Sequence, residues 1–240
     1  MKEKIYKLLL LISKSELVSK GSSALVFKIG GMLTIYLFHF VLARKIGAEA
    51  NGIFSTFYTI LSIFTVVAIL GMDTFLLKKI AEFNSREQWA ELKEIYKKAL
   101  SLILIISISI ILVLQLLFTF GFFESYQQNN LIPYIVFALL PFSILHINAE
   151  SFRAVKNIKL FSFFKNFSIF GIATIVLFLV NEPTVETGVK SFVISVIILA
   201  ILSFLLWRKN LKNKESILHE EFDNHNIIKE YLFVFLFLFL

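Results

Sequence analysis

Residues 20–82 read KGSSALVFKIGGMLTIYLFHFVLARKIGAEANGIFSTFYTILSIFTVVAILGMDTFLLKKIAE, and this stretch decides the fold. It holds two apolar runs, residues 22–43 and 53–77, which are joined by a short polar turn. A helix rises about 1.5 Å per residue, so either run can cross a hydrocarbon core about 30 Å thick. Neither run has the continuous polar face of a helix on a soluble domain. The stretch therefore predicts a transmembrane hairpin.

The composition of the whole chain points to the same class of protein. Of 240 residues, 58% are hydrophobic and 28 are Phe, whereas soluble domains hold about 45–50% apolar residues. We therefore predict an integral membrane protein. The chain has no Cys, which excludes disulfides and thiolate metal sites. It also lacks a GxxxxGK[ST] loop, an HExxH pair and a GxSxG elbow, so we expect no enzyme, no cofactor and no metal site.

Four further apolar runs follow the hairpin and complete an all-α, polytopic membrane protein. The predicted spans are about 22–43, 53–77, 100–120, 131–149, 161–180 and 189–207. Between them we expect an interfacial helix over 78–99, in which Ser85 and Gln88 form a capping box. Residues 1–21 predict a cytoplasmic amphipathic lead-in, and 208–228 predict a cytoplasmic linker. Pro141, inside the fourth span, is expected to kink that helix.

The placement of Lys and Arg predicts the orientation. If the N-terminus is cytoplasmic, the segments on that side carry twenty of the 24 Lys and Arg residues. The outside loops then carry three, Arg44, Lys45 and Lys190, and Lys28 lies in the membrane. Cytoplasmic loops carry the excess of basic residues in membrane proteins, so we predict N-terminus inside. This distribution also argues against nucleic acid as a partner despite the net charge of +7.

The hairpin has unusual polar content for two membrane spans. Lys28 lies eight residues, or about 12 Å of helix, beyond Lys20. His39, eleven positions later, returns to within about 20° of the same face. Ser55, Ser62 and Asp73 share one face of the second predicted helix. A charge at this depth costs about 2.5–3.5 kcal/mol and normally faces a cavity or a partner. Alternatively, the Lys28 side chain extends its ammonium to the inner interface.

Three segments of the chain resemble a family of bacterial polysaccharide transporters. They are LARKIGAEANGIF at 42–54, LGMDTFLLKKIAE at 70–82 and ESFRAVKNIKLF at 150–161. The family comprises polysaccharide biosynthesis transporters of the O-antigen or teichoic-acid type, in the superfamily that includes the multidrug MATE exporters. The resemblance implies a flippase in the bacterial cytoplasmic membrane that moves an undecaprenyl-diphosphate-linked oligosaccharide for surface polysaccharide such as O-antigen, capsule or teichoic acid. It also implies two six-helix lobes, of which this chain matches the N-terminal one.

A diphosphate substrate needs positive charge near its path, and the candidate substrate-binding residues combine basic residues with the polar groups of the hairpin. They are Lys28, His39, Asp73, Lys78, Lys79, Arg153 and Lys156. The last four cations would form a basic collar at the inner mouth, or would only attract anionic membrane lipids. Other polysaccharide assembly proteins are further expected partners.

The last apolar run, residues 231–240, is long enough for about half a bilayer. A helix that ends at mid-membrane leaves polar backbone groups in hydrocarbon. We therefore expect residues 229–240 to be the start of a truncated seventh helix, so that the chain is the N-terminal half of a longer transporter.

Two other functions fit parts of the sequence. A MATE-like exporter of cationic molecules would need acidic residues in the bundle, and Asp73 and Glu150 are the candidates. A membrane-embedded transferase of the same pathway would need a catalytic cluster on one side of the membrane. His146 and Glu150, four residues apart on one predicted helix, are the candidates for it.

Overall fold

The computed structural model describes residues 16–120 and 131–214, and the ordered elements in these ranges are helices. They are α1 Glu16–Lys45, α2 Ala48–Ile69, α3 Met72–Ser85, α4 Trp89–Thr119, α5 Ile132–Ala154, α6 Ile158–Leu179 and α7 Thr187–Lys214. The predicted lead-in up to residue 15, the loop at 121–130, and the predicted linker and seventh helix beyond 214 lie outside the described residues.

Six of these helices are long and apolar enough to cross a membrane. They are all except α3, which has 14 residues. The prediction of an all-α, polytopic membrane protein is confirmed. Below, the end of the bundle that holds the α1–α2 turn is called the outer end, following the predicted orientation, and the opposite end is called the inner end.

The second predicted span, 53–77, is wrong at its inner end. Helix α2 stops at Ile69, and the next two residues have left-handed backbone, with φ of 48° at Leu70 and 75° at Gly71. Helix α3 then begins at Met72. The sequence is apolar across this break, so hydropathy gave no sign of it. A non-glycine residue with positive φ is uncommon, and Leu70 is one that sequence patterns do not reveal.

The predicted interfacial helix over 78–99 is divided between two elements. Helix α3 ends at Ser85, and α4 starts at Trp89 and continues unbroken through the membrane to Thr119. The capping box is wrong, because the Ser85 hydroxyl donates to the Glu82 carbonyl at 2.7 Å and Gln88 makes no side-chain cap. The predicted elements 78–99 and 100–120 thus share one helix, whose first part is polar and whose remainder is apolar.

An aromatic cluster fills the centre of the bundle. Its rings come from α1, α2, α5, α6 and α7 and lie 4.7–6.4 Å apart between centroids: Phe38, Phe54, Phe57, Tyr58, Phe142, Phe170 and Phe192. Edge-to-face pairs of this kind contribute about 0.5–1.5 kcal/mol beyond the area that they bury. Helix α5 remains helical through Pro141 and packs against α7 over its length.

A buried polar network joins α4, α5 and α7. The Tyr96 hydroxyl donates to Asn148 Oδ1 at 2.6 Å, and Asn148 Nδ2 donates to Ser203 Oγ at 3.0 Å. The Ser203 hydroxyl donates in turn to the Ala200 carbonyl. Asn148 and Ser203 are fully buried. A satisfied network in an apolar interior fixes the relative position of the three helices.

The three basic residues assigned to the outside have structural partners at the outer end. Lys45 Nζ donates to the Leu177, Phe178 and Val180 carbonyls, at 2.7–3.3 Å, and so caps the C-terminus of α6. A cation at this position also complements the helix dipole. The Arg44 guanidinium lies 6.0 Å from the Phe40 ring centre, and Lys190 pairs with Glu186 at 3.1 Å.

Candidate functional site

Four ionisable side chains meet where the inner ends of α5 and α6 pack together. Lys165 Nζ donates to Glu150 Oε1 at 3.0 Å and lies 3.4 Å from His146 Nδ1. Arg153 Nη1 donates to the other oxygen, Glu150 Oε2, at 3.3 Å. We call His146, Glu150, Arg153 and Lys165 the inner cluster.

The inner cluster has a buried anion and two partly open cations. Glu150 is only 6% exposed, whereas the side chains of Lys165 and Arg153 are 30% and 49% exposed. An ammonium has three donors and no acceptor, so Nδ1 of His146 is the acceptor in its contact with Lys165. Removing one partner of a buried ion pair destabilises by about 3–5 kcal/mol, because the other charge is left uncompensated. The Glu150 carboxylate therefore depends on its two cations, and the cluster concentrates charge at this end of the bundle.

A π-helical turn in α6 places Lys165. The turn covers Phe163–Phe167, between the α-helical parts Ile158–Ser162 and Ser168–Leu179. Turns of this type insert one residue into a helix, leave a carbonyl available and occur often at functional sites. Here the Thr34 hydroxyl of α1 donates to the Gly31 carbonyl at 2.8 Å, and the Phe167 carbonyl oxygen lies 3.4 Å from the same hydroxyl.

Helix α1 lies directly against this π turn through two glycines. A Cβ on Gly31 would lie 2.6 Å from the Asn166 carbonyl oxygen, and a Cβ on Gly30 would lie 3.2 Å from the Phe167 ring. The glycines therefore let a neighbouring helix approach the α1 backbone, as their small size predicts. Gly31 of α1 and Asn166 of α6 therefore lie at the same depth in the bundle.

Lys28 lies on α1 close to that level. It precedes Gly31 by three residues, or about 4.5 Å along the helix, and Lys165 precedes Asn166 by one. The two helices run in the same direction, so the two lysines lie within about one helical turn of each other in depth. Lys28 is exposed, among exposed apolar neighbours on α1 such as Val26 and Ile29. Its exposure agrees with either a path for substrate or a side chain that extends to the interface.

His39 has a partner that the sequence did not reveal. Its Nδ1 lies 2.6 Å from Asn51 Oδ1 at the start of α2, and its ring contacts Phe38 and Phe54 edge to face. It is half-buried at the outer end of the aromatic cluster. The predicted face that carries both Lys28 and His39 is therefore part exposed and part packed.

Asp73 does not lie on the face of the second span. It stands in the first turn of α3, where its Oδ1 accepts a hydrogen bond from the Thr74 backbone N–H at 2.8 Å. The break at Leu70 and Gly71 separates it from Ser55 and Ser62, so the predicted shared face is wrong. A negative charge in the first turn interacts favourably with the positive end of the helix dipole, and this accounts for the position of Asp73.

The four collar cations lie on α3, on α5 and in the turn that follows α5. Lys78 is exposed on α3, and Lys79 forms an ion pair with Glu82 at 3.6 Å. Arg153 lies on α5, held by Glu150 and 5.3 Å from the Phe161 ring centre. Lys156 is exposed in the α5–α6 turn, with a φ of 61°. The structure thus gives Arg153 a place in the inner cluster.

The exposed face of α2 is polar towards the outer end. It comprises Gly52, Ser55, Thr56 and Thr59, and it becomes apolar towards the inner end at Ile63, Val66 and Val67. The three hydroxyls donate to carbonyls four residues earlier, at 2.8–3.1 Å. Their oxygen lone pairs remain as acceptors. The exposed positions of α7 within its apolar stretch are, in contrast, Ile194, Ile198, Ile201, Leu202 and Leu205.

Lys165 is the residue that sequence reasoning missed. The sequence placed it in a short basic turn, but it lies inside α6 and pairs with an acid on α5. A signal was present: His146 and Glu150 stand four apart in an apolar span, and a buried Glu needs a cation. In the described residues, no group of three or more His, Cys, Asp and Glu side chains is arranged to hold a metal ion.

The helix arrangement is that of MATE-family transporters. The chain matches a crystal structure of a MATE mutant with a TM-score of 0.66 at 14% identity, and a MATE in the bent conformation with 0.67 at 16%. It also matches an outward-facing multidrug resistance MATE family transporter of the MOP superfamily with 0.60 at 15%. These matches cover 84–85% of this chain but 48–49% of the solved chains. The chain therefore spans about half the length of these structures.

Fold and site together define a multi-pass membrane protein with the fold of MATE transporters and with charged groups inside its helix bundle. The family model described as "Polysaccharide biosynthesis protein" matches residues 17–239, and the chain belongs to this family. The resemblance seen in the sequence is thereby confirmed. Among curated proteins, none matches the chain by sequence.

Proposed function

We propose that the protein is a flippase that moves a lipid-linked oligosaccharide across the bacterial cytoplasmic membrane for cell-surface polysaccharide. The observation that carries the proposal is the exposed Lys28 on a transmembrane helix of a polysaccharide biosynthesis family member. A charge among exposed apolar residues costs about 2.5–3.5 kcal/mol on insertion scales, and this cost indicates a functional role for the Lys28 ammonium. The substrate that we infer carries an undecaprenyl diphosphate, which is anionic.

The charges of the bundle favour an anionic substrate. Pairing a diphosphate with an ammonium in a partly dehydrated cavity is much stronger than at the water-exposed surface. Lys28 and the cations of the inner cluster would receive the headgroup near the inner end. His39 and the polar face of α2 lie further out and would accompany it while the lipid tail stays in the bilayer.

The two alternatives have weaker support. An exporter of cations would use a free carboxylate, but the Glu150 carboxylate already contacts Lys165 and Arg153. A transferase would use His146 and Glu150, but both side chains already contact Lys165. A flippase without catalytic residues therefore agrees best with the geometry.

A surface-glycan assay in the host bacterium tests the proposal. We expect Lys28→Ala to abolish surface glycan and to leave lipid-linked oligosaccharide in the inner leaflet, with protein level unchanged. Lys28→Arg should keep part of the activity. Lys209→Ala, an exposed lysine on α7, is the matched control and should have no effect. Normal export by Lys28→Ala would show that the ammonium only reaches the interface, and the assignment would fail.

The basic collar needs a test of its own, because attraction to anionic lipids also explains it. Such attraction contributes about 1 kcal/mol per basic residue and needs charge alone. Exchange of Lys78 and Lys79 for Arg, and of Arg153 for Lys, keeps the charge and changes the hydrogen-bond geometry. Lost glycan with normal membrane insertion would support a headgroup site, whereas unchanged glycan would support the lipid explanation.

A further inference from the structure

We propose that Lys165 binds the anionic headgroup and that Glu150 holds its place until the substrate arrives. The inference rests on the proposed function in taking the anion to be a lipid diphosphate. In the structure, the Glu150 carboxylate occupies the position on the Lys165 ammonium that a phosphate oxygen would take. The incoming anion and Glu150 therefore compete for the same cation.

Lys165 has donor capacity towards the open side of the cluster. Of its three N–H donors, one meets Glu150 Oε1 and one faces His146 Nδ1. Its side chain is 30% exposed, although it lies inside a transmembrane helix. A lysine that served only to neutralise Glu150 would have no need of this exposure.

Glu150 can release Lys165 without becoming an unpaired buried charge. Its two oxygens have different partners: Oε1 contacts Lys165, and Oε2 contacts Arg153 at 3.3 Å. When Lys165 turns to an anion, Arg153 still compensates the carboxylate. A pair with a single cation would have to break completely, at a large penalty. The second cation is what makes the exchange feasible.

The position of Lys165 suits a headgroup that also meets Lys28. The contact between Gly31 and Asn166 brings α1 against the π turn; Lys28 precedes Gly31 by three residues, and Lys165 precedes Asn166 by one. A diphosphate has two phosphate groups and can accept from two cations at one depth. Phosphate recognition by lysines as point charges needs no stricter geometry than this.

The test measures anion binding by the full chain in discs of phosphatidylcholine, which has no net charge of its own. Inorganic pyrophosphate and geranylgeranyl diphosphate are titrated separately by calorimetry. We expect Lys165→Gln to weaken the binding of both about tenfold or more, as expected for loss of a charge-assisted hydrogen bond. Glu150→Gln removes the competitor and should tighten binding severalfold.

A second pair of the chain provides the matched control. Lys190 and Glu186 form an ion pair of similar length, 3.1 Å, at the outer end. Lys190→Gln and Glu186→Gln should leave both affinities unchanged. The double variant Glu150→Gln with Lys165→Gln replaces the inner pair by two neutral amides of similar size and protects against loss of folding. It should bind as weakly as Lys165→Gln alone.

The sign of the Glu150→Gln effect decides the outcome. If Glu150→Gln weakens binding as much as Lys165→Gln does, the pair is only structural and the inference is overturned. Equal binding by Lys165→Gln and the native chain would overturn it as well. Weakened binding of pyrophosphate but not of the prenyl diphosphate would assign the site to a free phosphate and would refute the lipid headgroup.

The result is separate from that of the glycan assay. If Lys28→Ala abolishes surface glycan while Lys165→Gln binds pyrophosphate normally, the flippase proposal stands, and the inference that Lys165 exchanges Glu150 for the headgroup fails. If the binding shifts are as expected while glycan export is unaffected by Lys28→Ala, the anion site stands and the assignment of Lys28 to the export path fails.

Discussion

Gly31→Ala should separate α1 from the π turn of α6 and destabilise the bundle. The added Cβ would lie 2.6 Å from the Asn166 oxygen and 2.8 Å from its carbonyl carbon, both of which are backbone atoms that no side-chain rotation can move. To reach an ordinary contact of 3.4 Å, the helices must part by about 0.8 Å. The contact between the Thr34 hydroxyl and the Phe167 carbonyl oxygen, already 3.4 Å long, would then be lost. Overpacking of this kind costs about 1–3 kcal/mol.

A second glycine gives a control of opposite sign. A Cβ on Gly52 of α2 has nothing within 4 Å, and Ala is favoured over Gly inside a helix by about 0.5–1 kcal/mol. Gly52→Ala should therefore be neutral or slightly stabilising. Thermal unfolding of the purified variants, followed by circular dichroism in one detergent, should show a lower Tm for Gly31→Ala only. Equal Tm values for the two variants would refute the close packing of α1 on α6.

Four further predictions concern the rest of the bundle. Tyr96→Phe removes the donor to buried Asn148 and should lower the unfolding free energy by about 1–3 kcal/mol; an unchanged denaturation midpoint would contradict the network. Lys45→Met uncaps the last carbonyls of α6 and should lose about 0.3–1 kcal/mol, visible as faster amide exchange in the residues that follow the helix. At the outer end, the hydrogen bond from Tyr134, followed by the contacts with Lys190, lowers the pKa of Glu186 below its ordinary value of 4.5. The ionised carboxylate therefore contributes its whole stabilising free energy above pH 4.5, and this contribution is lost as the pH falls through the lower pKa of the folded state. In Glu186→Gln, Tm should consequently fall less steeply with decreasing pH in the acid range. A reporter enzyme fused at the end of α7 should be cytoplasmic, and a periplasmic signal there would refute the predicted orientation.

The sequence by itself determined the class of the protein, the number of membrane spans in its described residues and its family. These features follow from local composition, because the hydropathy of some twenty consecutive residues is a sum that needs no knowledge of neighbouring helices. Gly30 and Gly31 lie where α6 approaches α1 closely, and small residues that permit such an approach are also a local feature of the sequence. The orientation and the substrate stay predictions.

Only the tertiary structure decided the details of the site. The left-handed backbone at Leu70 and Gly71 moved Asp73 off the second span, and no hydropathy pattern shows a reversal of backbone dihedrals within an apolar run. Asn51 was found as the partner of His39, and Lys165 as the partner of Glu150, 15 residues away in sequence. An acidic residue in an apolar span, such as Glu150, indicates that a cation must lie nearby. Which cation it is depends on how two helices pack and on the extra residue of a π turn. That packing is set by contacts between residues far apart in the chain, which no local pattern specifies.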